Sequence, residues 1–277
     1  MRRRKSELWP AFFVNFGLAL TALLTAAPLL WMLSVSLMPT GEANSLPPRL
    51  LPSAPTLAHY REIFVHLDMG RYLWNSLVLS TSITLLSVLL CSLAGYAFAK
   101  LRFRGRDRLF SAILLLLVVP AQVGMLPLFL MLKHLGLINT LAGAMVPSLA
   151  SIASIFLIRQ FAITLPDELL DAARIDGASE GQIFFRIILP LLLPILVTVG
   201  VLTFLTSWND FLWPLIVLAG ERNYTLPAAL ANLSGEHVQD TELMMAGSVL
   251  TVLPGIVLFF ALQRYYVEGV LLGSLKE

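Results

Sequence analysis

The residues of this chain that could do chemistry sit in two places. One is the stretch 167–190, DELLDAARIDGASEGQIFFRIILP, a polar and amphipathic island between two long apolar segments. The other is Trp208, Asn209 and Asp210, where a carboxylate stands in an otherwise apolar run. In the island, Pro166 suits a first helical position, and Asp167 and Glu168 then occupy the first turn, where the helix dipole favours acids. This helix is expected to run to about Ile175 and to stop at Gly177, which permits a backbone turn that a side chain would strain. Ser179 followed by Gln182 reads as a capping box that opens a second helix. In that second helix Ile183 and Ile187, and likewise Phe184 and Ile188, stand four residues apart and share a face. Pro190 marks the change to the next apolar segment. Two short helices at an angle, with small residues at the turn, make a compact knob whose use is docking.

Asp210 is the only acid well inside a predicted span. A charge at the centre of a bilayer costs about 2.5–3.5 kcal/mol, but Asp210 lies roughly 30 Å along a helix from Pro190, near the far interface. Two readings stand side by side. Asp210 faces a path together with Trp208 and Asn209, or it is a helix-end acid held by loop contacts. Trp208 and Trp213 equally suit interfacial anchors.

Hydrophobic residues make up 57% of the chain and charged residues 13%, against about 25% charged in soluble domains. That composition belongs in a membrane. A bilayer core takes roughly 20 consecutive apolar residues as helix. Six segments qualify, at about 9–37, 73–99, 109–132, 141–159, 191–218 and 245–263, with the polar loop 160–190 between the fourth and fifth. The chain reads as one domain over residues 1–277. The apolar run after Arg2, Arg3, Arg4 and Lys5 is too long for a cleaved signal and is expected to be an uncleaved anchor. Pro120 and Pro127 are placed to kink the third span and Pro254 the sixth.

With the N-terminus inside, 14 of the 19 basic residues fall on the inner side, including Lys100, Arg102, Arg104, Arg106, Arg108, Arg174, Arg186 and Lys276. By the positive-inside rule both termini and the island are cytoplasmic. The outer loops are then 38–72, rich in proline, and 219–244. His59, His66, His134 and His237 all fall in outer loops and read as solvated loop residues, not as metal ligands. Cys91, the single cysteine, sits in an apolar run, so no disulfide framework or cysteine metal site exists. No G-x-x-x-x-G-K-[ST] phosphate loop occurs, which excludes ATP binding of that kind. An intramembrane enzyme would need paired acids or a nucleophile with its base at depth, and the spans offer only Asp210.

The island also resembles the cytoplasmic coupling motif of ATP-binding-cassette import permeases, written EAA…G…I…LP. The matching residues are Asp171-Ala172-Ala173, Asp176-Gly177-Ala178 and Ile188-Leu189-Pro190, with Asp171 one methylene shorter than the family's Glu. Asn75-Ser76, Gly95-Tyr96-Ala97-Phe98-Ala99, Ser207-Trp208-Asn209-Asp210-Phe211 and Thr225-Leu226-Pro227 are similar to further segments of the carbohydrate-importer branch, the MalG-like permeases.

The resemblance implies an all-α polytopic membrane protein of type I importer architecture, with six transmembrane helices and a cytoplasmic coupling helix pair. It implies a second MalF-like permease that completes the path, two ATP-binding-cassette ATPase subunits that use ATP-Mg, and an extracytoplasmic sugar-binding protein. The site is a bacterial inner membrane, among lipid and without nucleic acid. The chain itself would be neither an enzyme nor the holder of a cofactor. Asp171 would meet a basic group on the ATPase. Glycerol phosphate or another polyol is the alternative solute, and a self-contained secondary transporter or channel is the alternative class. The topology has a direct check. An alkaline-phosphatase fusion at about residue 55 should be active and one at about residue 105 inactive; the reverse pattern would overturn the orientation.

Overall fold

A computed structural model describes residues 8–47, 49–236 and 240–274 of the 277-residue chain. Arg2, Arg3, Arg4, Lys5, Pro48, His237 and Lys276 lie outside the described residues. Every regular element among those described is helical. Helices α1 (Leu8–Ser36), α3 (Met69–Lys100) and the last helix, α14 (Thr241–Ser274), are long and apolar enough to cross a membrane alone. A short α2 (Ala58–Val65) lies between the first two.

The other three expected spans are not single helices. Each is a bent pair, so six crossings are reached only if each pair counts as one. The 109–132 segment consists of Arg106–Val118 and Ala121–His134, bent by 97°. Val119 is extended there, as a residue preceding proline tends to be. The break therefore belongs to Pro120. Pro127 falls in the first turn of α5 (Met125–His134), where a missing N–H is harmless. The 141–159 segment divides into Leu141–Ser148, which contains α6 (Leu141–Met145), and α7 (Ile152–Ile163), bent by 45°. Ser151 restarts the helix by accepting a hydrogen bond from the Ser154 N–H at 3.3 Å. The 191–218 segment begins after a 77° bend at Leu192, between Glu180–Leu191 and α11 (Leu193–Asn209). Pro194 has no N–H for the preceding turn and its ring crowds the carbonyl four residues earlier, so the two prolines flanking Leu192 fix that bend. The span ends at Asn209, and α12 (Leu212–Val217) is separate. Pro254 lies inside α14.

By internal contacts the chain forms two compact units, Met1–Met69 with Leu230–Leu253, and Gly70–Ala229 with Pro254–Glu277. In the first, the fully buried Val35, Met38, Ile63 and Met69 make the core. His59 is not the solvated loop residue expected. It is buried, and a ring nitrogen stands 2.9 Å from the Met38 carbonyl. Glu242 is also buried, and its Oε1 accepts the Ala43 N–H at 2.8 Å. Backbone groups inside need partners, and these two side chains supply them.

In the second unit one core joins α3 (Cys91, Tyr96, Phe98), α4 (Arg106–Leu115; Phe110), α7 (Ile155, Ile158) and α11 (Leu196) to the buried side chains of the 167–190 island. Cys91 is fully buried there, as its apolar run suggested. Elsewhere in this unit Asn75 Nδ2 donates to the carbonyls of Arg222 and Tyr224 at 2.9 and 3.0 Å. Ser76 Oγ accepts the Leu226 N–H at 2.7 Å. Asn75-Ser76 and Thr225-Leu226-Pro227, far apart in sequence, are thus a clasp and what it holds.

Gly95 sets the spacing of α3 and α7. A Cβ at this position would stand 2.7 Å from Ile158 Cγ2 and 3.2 Å from the Arg159 N, and overpacking of that kind costs about 1–3 kcal/mol. Gly95→Val should therefore lower the thermal midpoint of the detergent-solubilised protein, whereas Gly17→Ala, with nothing within 4 Å of the new methyl, should leave it unchanged. Equal midpoints would contradict the α3–α7 contact.

Candidate functional site

The island folds as the sequence suggests in outline. Helix α8 spans Glu168–Ile175, two residues later than Pro166 implied. Asp167 stands at the N-cap position, not in the first turn, and its side chain makes no capping bond. Its carboxylate is taken instead by Lys100 at the end of α3, whose Nζ donates at 2.6 Å to Asp167 Oδ1 and at 2.6 Å to the Leu165 carbonyl. That hydrogen bond holds the Asp167 carboxyl below the usual carboxylate range.

The end of α8 explains the spacing of the motif. Gly177 has φ +82°, the left-handed conformation that costs other residues about 1–2 kcal/mol. Its N–H reaches the Arg174 carbonyl at 3.0 Å, and the next N–H, of Ala178, reaches the Ala173 carbonyl at 2.9 Å. These are the two bonds of a Schellman turn. Ala173, Gly177 and Ala178 are therefore one device. Ala173 is buried in the apolar core and Ala178 packs against that core, and the glycine is bare because of φ. Ala173 is buried, while Asp171, Ala172, Asp176 and Gly177 are exposed.

Ser179 and Gln182 close the expected capping box, with both reciprocal bonds present, and α9 (Glu180–Ile183) follows. The helix then widens. Phe184–Ile188 is a π-turn, succeeded by α10 (Leu189–Leu191). The four-residue pairing expected for Ile183 with Ile187 gives way to a five-residue one. Ile183 and Ile188 are fully buried, Phe184 nearly so, and Ile187 only partly. Leu189 is half-buried and Pro190 exposed, and the direction changes two residues after Pro190, at Leu192.

A polar chain links the knob to α3. Arg174 Nη1 donates to Asp171 Oδ1 at 3.1 Å and Nε donates to Glu180 Oε1 at 2.9 Å. Tyr96 Oη donates to Glu180 Oε2 at 2.9 Å. The Arg174 guanidinium, assisted by Tyr96, keeps the Glu180 carboxyl below its ordinary range although partial burial opposes this. Behind the knob Arg159 Nε donates to the Phe98 carbonyl at 3.2 Å, and its guanidinium lies 4.1 Å from the centre of the Phe110 ring. Tyr96, Lys100 and Glu180 were not singled out as site residues in the sequence. Glu180 had one local signal, its place directly after a capping serine.

The outer face of the knob is small and apolar, flanked by acids. Ile175 is 86% exposed, beside Ala172 and Asp176. The inner face, Leu170, Ala173, Ile183, Phe184 and Ile188, belongs to the same core as Tyr96, Phe98 and Ile158. This arrangement holds no nucleophile poised on a base. It offers a surface for a partner on one side and a rigid attachment on the other.

The second group of candidates separates. Trp208 is 1% exposed and stacks on Phe204, with ring centroids 5.8 Å apart. Asn209 is exposed and turns back to the Leu205 carbonyl at 2.8 Å. Asp210 ends α11, accepts the Trp213 N–H at 3.4 Å, and lines a cleft. Asp210 is a helix-end acid, and it also lines a cavity. Trp208 does not share that cavity.

A family model described as binding-protein-dependent transport system inner membrane component matches residues 87–271. The chain is 38% identical over 281 residues to the arabinooligosaccharides transport system permease protein AraQ of Halalkalibacterium halodurans, with both chains covered in full. It is 35% identical over 259 residues to the lactose transport system permease protein LacG of Rhizobium radiobacter, covering 94% of each. Among solved structures, a chain of a bacterial ABC transporter involved in import of the acidic polysaccharide alginate shares the fold, with a TM-score of 0.82 and 22% identity over 96% of this chain and 99% of that one.

The Arg174–Glu180 pair generates a pH test. A carboxyl whose folded pKa is depressed contributes stability above its unfolded value, and that contribution is lost as pH falls through the folded value. Glu180→Gln should melt below the wild type at neutral pH, and the gap should close in strong acid. Identical melting at neutral pH would show the pair to be idle.

Proposed function

The chain belongs to the family of binding-protein-dependent transport system inner membrane components, and from that premise we propose that it forms, with a second MalF-like permease, the path for a carbohydrate through an ATP-driven importer. It is the membrane permease subunit of the importer. Carbohydrate is favoured as the cargo because AraQ and LacG, by name, serve arabinooligosaccharides and lactose. Two ATP-binding-cassette ATPase subunits consume ATP-Mg, and a sugar-binding protein delivers solute from outside. The chain spans a bacterial inner membrane several times with both termini and the knob in the cytoplasm.

The observation that carries this reading is the two-sidedness of the knob. Asp171, Ala172, Asp176, Gly177 and the protruding Ile175 are offered to the ATPase. Ala173 and Ala178 close the turn beneath them, and Leu189 and Pro190 carry the second helix towards α11. Asp171 already pairs with Arg174 inside the chain, so a basic group on the ATPase joins an existing pair. When the ATPases close on ATP the knob moves as one body. Its inner face shares a core with α3 and α7, so displacement passes into the spans without a loose joint. The reaction needs no catalytic group in this chain, because what it contributes is transmission.

Gly177 decides the turn, and its substitution tests the mechanism. Gly177→Val, strained at φ +82°, should reach the membrane in the complete transporter but abolish sugar uptake. Gly177→Asn, which tolerates the left-handed region, should retain much of it. The purified chain alone should hydrolyse no ATP. Normal uptake by Gly177→Val at wild-type abundance would sink the coupling role, and ion-driven uptake by this chain alone would make it a secondary transporter.

A further inference from the structure

One cleft in the second unit is lined by hydroxyl groups in a chain that is otherwise mostly apolar. Its volume is about 250 Å3. Along α11 the lining residues Thr203, Thr206, Ser207 and Asp210 stand at intervals of three, one and three, the spacing of a single helix face. From the opposite side come Ser148, Ser151 and Ser154, three apart across the 45° break before α7. Leu157 and Leu202 form apolar wall.

Hydroxyls in an apolar helix ordinarily satisfy themselves on the carbonyl four residues back. Thr84 does this with Ser80 at 2.7 Å and Thr198 with Pro194 at 3.1 Å. Ser207 does not. Its Oγ is shut off from solvent and has no hydrogen-bond partner among the described residues, although the residue lines the cleft. Asp210 uses one carboxylate oxygen on the Trp213 N–H at 3.4 Å, a long bond that leaves acceptor capacity. The cleft therefore presents donors and acceptors awaiting a ligand and two apolar surfaces beside them. A buried polar group without a partner is costly, and a ligand that completes it is favoured for that reason.

The ligand follows from this chemistry. Vicinal hydroxyls both donate and accept, as the serines and threonines do, and a carboxylate accepts a pair of them. The apolar C–H face of a ring fits Leu157 and Leu202. No Lys, Arg or His lines the cleft, and Asp210 repels anions. At about 250 Å3 it falls under the roughly 300–1,000 Å3 of sites that enclose a whole small molecule, so it takes one ring of a longer chain. We propose that this cleft is a solute-contacting subsite of the translocation path, which takes one ring of a neutral, polyhydroxylated solute and disfavours anionic ones. This rests on the importer reading above and narrows its substrate class.

The test uses the complete transporter with its partner subunits, in cells and in vesicles. The probes are arabinotriose and lactose as neutral solutes and sn-glycerol-3-phosphate as the anionic one. Thr206→Val and Ser207→Ala keep shape and lose a hydroxyl. Each should lower maximal uptake of the neutral solute about tenfold, the loss of about one good hydrogen bond. Stimulation of ATP hydrolysis by the loaded binding protein should stay within about twofold, because one hydrogen bond to solute leaves the knob untouched. Ser207→Thr, which keeps the hydroxyl, should restore uptake.

Thr206→Cys, at an exposed lining position, should react with a small hydrophilic thiol reagent and be protected by the transported sugar. The one native cysteine, Cys91, is fully buried and adds little background. If the wild type imports a neutral sugar but both hydroxyl variants match it, or Thr206→Cys never reacts, the subsite is wrong while the importer reading stands. Import of sn-glycerol-3-phosphate by the wild type would overturn the preference for neutral solutes. Import of none of the probes, with no stimulated ATP hydrolysis, would overturn the importer reading itself.

Discussion

The burial of five side chains governs this molecule. Leu170, Ala173, Ile183, Phe184 and Ile188 place the inner face of a water-facing knob in the core shared by Tyr96, Phe98, Ile158 and Leu196. Each large apolar side chain so buried stabilises the packing by about 1.5–3 kcal/mol. Their sum far exceeds what the exposed ion pairs of the knob supply, since a surface pair contributes about 0–1 kcal/mol. The apolar contacts hold the knob, and the polar chain through Arg174, Glu180 and Tyr96 sets its orientation. If this core were loosened, the knob would tilt without moving the spans.

Local signals in the sequence were reliable because their physics is local. The capping box at Ser179 and Gln182 and the stop at Gly177 depend on a few neighbouring residues, and both are where the residue types place them. Apolar length was less informative. A hydropathy run registers how many residues avoid water, not whether one helix carries them, so the breaks at Val119, Ser151 and Leu192 were hidden inside three expected spans. Pro120 marked the first of those breaks, as the extended backbone ahead of it shows, and Pro190 stands two residues before the last. Partners distant in sequence were beyond reach. Nothing next to Asp167 names Lys100, and nothing next to His59 names the Met38 carbonyl. Trp208 is the opposite case: Phe204, four residues earlier on the same helix, is a partner that helical spacing offers.

Several short motifs become intelligible as answers to backbone demands. Asn75 and Ser76 satisfy the Arg222 and Tyr224 carbonyls and the Leu226 N–H, where a short 3-10 turn gives way to the helix that begins at Leu226. Gly95 admits Ile158, and its neighbour Tyr96 reaches the knob. A pair of adjacent residues on α3 thus does two unrelated jobs, close approach and hydrogen bonding. Neither could be exchanged for a similar residue without a defined loss.

The π-turn at Phe184–Ile188 accommodates one residue more than an α-helix of the same rise would hold. In an α-helix each residue turns the axis by about 100°. A single-codon deletion within these five positions would remove the extra residue and restore an α-helix, so Glu180 would keep its bearing towards Tyr96. The same deletion in an α-helical part of the knob would rotate everything before it by about 100°. At this one place the chain holds a residue in reserve, so a frame-preserving deletion that would be a rotation elsewhere is absorbed there as a change of width.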